Sequence, residues 1–138
     1  MRTTSLAKSA ALFRRRTIAY WITTVLLALE CLVGGMMGAL HYHLYVRNME
    51  HLGYPLYFMT ILGVWYLLAG VALLAPRFPR LKEWAYAGLV FTYTGAVASH
   101  VAVGDGVMTL VGPITFTALA VASWALRPST RRVDHDNE

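Results

Sequence analysis

Residues 17–40 read TIAYWITTVLLALECLVGGMMGAL, a stretch in which the one charged side chain is Glu30. A helix rising about 1.5 Å per residue crosses about 30 Å of hydrocarbon in about 20 residues, so this stretch predicts a membrane span. Three more segments read the same way: 56–75, 84–103 and 107–126. The first and last of these hold no acid, base or histidine, and 84–103 holds only His100, near its end. The expected fold is therefore all-α, a four-helix transmembrane bundle. Composition agrees. The 138 residues are 57% hydrophobic and 14% charged, with mean hydropathy +0.51. A soluble domain carries about 25% charged residues, so a water-facing fold of this size is excluded.

The net charge of +5 belongs to topology. Eleven of the twelve Lys and Arg residues precede residue 17, lie between spans two and three, or follow residue 126; Arg47 alone falls on the other side. This asymmetry places both termini in the cytoplasm. Because the basic residues flank apolar runs, nucleic acid is not an expected partner, and the lipid bilayer is. The first span is too long for a signal-peptide core and is expected to remain as an anchor. The expected organisation is a basic tail over 1–16, one membrane domain over 17–126 and a disordered tail over 127–138, with no internal repeat. Between spans one and two, Tyr42, Tyr45, Met49 and Leu52 recur at roughly helical spacing, which predicts a short interfacial helix ended by Gly53 and Pro55.

Glu30 is the most informative residue. A carboxyl group deep in a span costs a few kcal/mol, so it should face the bundle interior. It shares a helical face with Gly34, Met37, Gly38 and His41, and Gly34 with Gly38 forms a GxxxG step for close helix packing. Counting along the third span brings His100 within roughly a turn of Glu30 in depth, on the stripe that holds Tyr93, while Gly88 and Gly95 lie on a neighbouring small-residue stripe. Trp65 and Tyr66 on span two and Thr115 on span four fall at comparable depth. The expectation is a polar, aromatic layer in which Glu30 meets His100. Two readings stay open: a ligand-binding or proton-relay site for a quinone or another lipophilic molecule, or polar contacts that fix helix register. His41, His43 and His51 match no metal-binding motif, and no metal is expected. Cys31, the lone cysteine, reads as a small buried hydrophobe and permits no dithiol. Pro113 should bend or start the fourth helix.

Several segments carry a family resemblance: Tyr20 to Thr24, Leu52-Gly53-Tyr54-Pro55, Ile61 to Trp65, the run from Pro76 to Gly88, and Gly95 to His100. Over roughly residues 17 to 126 the chain resembles the DoxX-like family of small four-helix bacterial membrane proteins. The resemblance implies the bacterial inner membrane and, because the family takes its name from a subunit of a thiosulfate:quinone oxidoreductase, an accessory role in membrane redox chemistry. It implies a quinone as ligand and a membrane or peripheral redox protein as partner, with His100 as a candidate site residue and Gly53, Pro55 and Gly63 as structural positions. A homo-oligomer is compatible with this. Catalytic residues stay unassigned, and whether the chain is an enzyme stays open. The alternative is a non-enzymatic membrane partner or assembly subunit. A small proton-coupled transporter shares the carboxylate in the first helix, but the charge asymmetry argues against it.

Overall fold

A computed structural model describes residues 2–128, with side chains from residue 8 onward. All regular structure among the described residues is helical: α1 (Arg2–Ala39), α2 (His43–His51), α3 (Leu56–Leu74), α4 (Pro79–Ala102) and α5 (Val107–Leu126). The short α2 lies inside the stretch expected to form an interfacial helix. By length and composition, Lys8–Ala39, α3 and α5 can cross a membrane. α4 has the length, with 24 residues, but it is less apolar: its first turns carry Arg80, Lys82 and Glu83, and its later turns Thr92, Thr94, Ser99 and His100.

α1 is longer than expected. At about 1.5 Å per residue it runs for about 57 Å, because residues 6–16 contain good helix formers and no Gly or Pro. The expected basic tail is thus helical from Arg2 on. Arg127, the first residue of the stretch expected to be a disordered tail, is instead buried, and its guanidinium donates to Glu83 at 2.6 Å. Residues 129–138, the rest of that expected tail, lie outside the described residues.

Three helix ends share one geometry. His41, Gly53 and Gly104 take positive φ (54°, 77° and 79°), and the amide after each donates back five residues, to Met37, Met49 and His100. Each is a left-handed C-terminal cap, which satisfies carbonyls that the helix leaves open and turns the chain sharply. Two of these caps reverse the chain around α2, and the third folds Asp105 back over the end of α4.

The four long helices close a ring: α1 packs on α3 and α5, and α4 packs on α5 and α3. The α1/α3 seam is the tightest and α3/α4 the loosest. At the tight seam the backbones touch: a Cβ on Gly63 would sit 2.5 Å from Ala39 N and 2.8 Å from Gly35 O. Gly35 and Gly38 supply the opposite wall. Gly88 and Gly95, expected as packing positions, do not pack, since a Cβ at either meets nothing within 4 Å. Pro113 lies within α5 without ending it. Leu27, Cys31, Leu73, Tyr86, Leu89, Tyr93 and Ala120 form the buried core.

At the end of the ring nearest the chain termini, polar groups pair locally. Ser123 joins Thr24 and Tyr86, each at 2.7 Å, by hydroxyl hydrogen bonds. Lys82, 1% exposed, donates from Nζ to the carbonyls of Ala72 (2.7 Å), Leu73 (2.8 Å) and Ala75, capping the end of α3. Glu83 accepts from Trp124 Nε1 at 2.8 Å as well as from Arg127.

Candidate functional site

Glu30 turns inward, as the cost of an intramembrane carboxyl group requires. Its partner is Tyr93, whose hydroxyl donates to Glu30 Oε2. Tyr93 is 3% exposed, with its ring stacked on Phe116 at a centroid distance of 5.6 Å and tilted against Tyr66 at 5.8 Å. The Cys31 thiol lies 3.9 Å from the same phenol oxygen. Gly34 makes room here: a Cβ on it would lie 3.3 Å from Glu30 Oε1 and 3.4 Å from the Tyr45 hydroxyl. Tyr45 therefore reaches from α2 toward the carboxyl group. Burial first, and the Glu30 charge second, hold the Tyr45 phenol above its ordinary pKa.

These groups border a partly open cavity of about 530 Å³ lined by residues of all five helices. Its deep wall is Glu30, Tyr66, Tyr93 and Phe116; α2 contributes Tyr45, Asn48 and Met49; Ser99 and His100 lie toward the α2 end. Phe91 and Thr92 line its α4 side, next to the loose α3/α4 seam.

His100 lines this cavity but does not meet Glu30. Its Nδ1 donates to Asp105 Oδ2 at 2.6 Å, and His51 Nε2 donates to Oδ1 of the same carboxylate at 2.7 Å. The cap at Gly104 explains the change of partner, because it delivers a carboxylate only five residues away. Tyr93, seven residues or about 10 Å earlier on the same α4 stripe, reaches Glu30 first. Hydrogen bonds from His100 and then His51 hold the Asp105 carboxyl below its ordinary pKa. Two further bonds tie down this end: Tyr54 to Ser99 at 2.8 Å and His41 to Thr60 at 2.7 Å.

Of the expected layer, Glu30, Tyr66, Tyr93 and His100 share the cavity. Trp65 does not: adjacent residues point about 100° apart on a helix, so with Tyr66 turned in, Trp65 turns out and is 64% exposed. Thr115 also faces outward and bonds its own helix at Val111 O, while its neighbour Phe116 lines the cavity. Gly34 serves the cavity wall, and its neighbour Gly35 takes the seam. Sequence reasoning missed Tyr45 and Phe116 as lining groups; the helical spacing that predicted α2 did mark Tyr45, but not the direction it faces.

Long apolar helices, a carboxyl group turned in from the first of them and an aromatic interior cavity define a helical integral membrane protein. The chain belongs to the DoxX-like family, whose model matches residues 22–123. No curated protein and no solved structure matches it.

Proposed function

We propose that α4 is a fourth span, that both termini are cytoplasmic in a bacterial inner membrane, and that the cavity binds a lipophilic small molecule, a quinone among them. In this reading the chain is an accessory component of membrane redox chemistry. The observation that carries it is an inward carboxyl group, Glu30, held by Tyr93 on the wall of a space of about 530 Å³. Small-molecule sites run to about 300–1,000 Å³ and are mostly apolar with a few placed polar groups. Tyr86, Tyr93 and His100 of α4 are buried, which supports α4 as a span whose polar groups avoid lipid. The loose α3/α4 seam is the route by which a membrane-dissolved ligand enters. The redox role rests on family membership.

Two glycine substitutions test the site. Neither Gly95, on the cavity, nor Gly88, on the outer α3/α4 groove, has a neighbour within 4 Å of an added Cβ, so both tolerate a large side chain. Gly95→Trp should abolish saturable binding of decylubiquinone to the purified protein, and Gly88→Trp should leave it intact. Equal binding by both variants defeats the proposal. Reporter fusions in each connection test the topology, with 103–107 expected on the side opposite the termini.

A further inference from the structure

The cavity's charge and wall chemistry point to a narrower ligand class. We propose that it prefers lipophilic organic cations, amines or onium ions with aromatic or alkyl substituents, over neutral and anionic molecules of the same size. This deepens the reading of the cavity as a small-molecule site and rests on it.

The described residues that line the cavity include one carboxyl group, Glu30, and neither lysine nor arginine. Tyr93 donates one hydrogen bond to Oε2, and a neutral hydroxyl stabilises a carboxylate without neutralising it. Oε1 lies beside Gly34, where the Tyr45 hydroxyl also approaches, and all three residues line the cavity. A carboxylate in a low-dielectric setting is costly unless paired and otherwise takes up a proton, so a bound cation would supply the counter-charge that favours the ionised form and that the lining lacks. The surrounding walls suit it. Tyr66, Tyr93 and Phe116 present aromatic rings within one cluster, and Tyr45 lines the same cavity. Ring faces attract cations within about 6 Å, more strongly when water is excluded. His100 is the remaining basic residue on the lining, and its Nδ1 is paired with Asp105, at the far end from Glu30. It does not occupy the place of the ligand charge.

The test compares saturable binding of tetraphenylphosphonium, tetraphenylborate and decylubiquinone to the purified full chain in a non-ionic detergent. Tetraphenylphosphonium should bind at least about tenfold more tightly than the borate, a difference of about 1.4 kcal/mol. Glu30→Gln should lower the ratio of phosphonium to decylubiquinone affinity at least about tenfold; taking the ratio removes any loss common to both probes. Gly95→Trp should abolish phosphonium binding, which places it in this cavity. Decylubiquinone binding without phosphonium binding overturns the cation preference and leaves the small-molecule site standing. An unchanged ratio in Glu30→Gln, or equal affinity for the two tetraphenyl ions, also overturns the preference. Absence of binding by all three probes overturns the site itself. The comparison of the two ions needs no variant, so it decides the matter even if Glu30→Gln fails to fold.

Discussion

The two ends of the helix ring use similar side chains in opposite ways. Near the termini, Thr24, Ser123, Tyr86, Lys82, Glu83 and Arg127 bond one another or the backbone, and none of them lines the cavity at the other end. Toward α2, Glu30, Tyr45, Tyr93 and His100 border a cavity of about 530 Å³. A polar residue inside a bundle is thus no signal of a site by itself. It becomes one where the surrounding groups leave space that a ligand can fill. The same contrast separates the seams: glycines bring α1 and α3 to backbone contact, whereas α3 and α4 part around the cavity.

The sharpest way to break the contrast is at the tight seam. Gly63→Leu would drive a side chain into the backbone of Ala39 and Gly35, which cannot move aside as a flexible side chain could. We expect a loss of several kcal/mol, about 3 or more, beyond ordinary overpacking, seen as failure to purify a monodisperse protein or a large fall in melting temperature in detergent. A melting temperature unchanged from the parent would show that the seam is not rigid. Lys82→Met comes next, since it leaves the carbonyls of Ala72, Leu73 and Ala75 without their shared donor. About 2 kcal/mol is expected from losing charge-assisted bonds at a buried helix end, and thermal unfolding monitored by circular dichroism measures it.

Ser123→Ala should cost about 1 kcal/mol, because Thr24 and Tyr86 lose a common partner but lie close enough to the same point to re-pair in part. A loss as large as that of Lys82→Met would mean that this end depends on the Ser123 hydroxyl more than its neighbours imply.

The smallest expected effect is at the α2 end and depends on pH. Asp105 has a folded-state pKa below its ordinary 3.8, so its bonds to His100 and His51 stabilise the folded protein above that value, and the contribution is lost as pH falls through the lowered one. Melting temperatures of the parent and Asp105→Asn should differ near neutral pH and converge in acid below the ordinary value. A gap that persists through that range would show that Asp105 acts by some means other than its charge.

Much of this was legible in the chain. The expected spans at 56–75 and 107–126 match α3 and α5 within a residue, because uninterrupted apolar runs bounded by Pro, Gly and Arg leave little choice of limits. Glu30 was recognisable because no other residue of its kind lies within those runs. Its partner was not. Depth along a helix can be counted, but His100 and Tyr93 lie on the same stripe, and counting cannot say which of them a carboxyl group on another helix meets. Nor could spacing choose between Gly34 and Gly35, or Trp65 and Tyr66: a rotation of about 100° separates each pair, and neighbouring helices decide which member turns inward.

The order of apolar and charged segments, by itself, determined that this chain is helical and belongs in a membrane, since the free energy of placing side chains in hydrocarbon depends on composition and length before any helix meets another. Tertiary structure alone decided that Tyr93 receives Glu30, that Asp105 draws His100 away, and that a cavity opens between them. Those outcomes depend on helix rotation and on the reversal at Gly104, which set distances of a few ångströms between residues far apart in the chain.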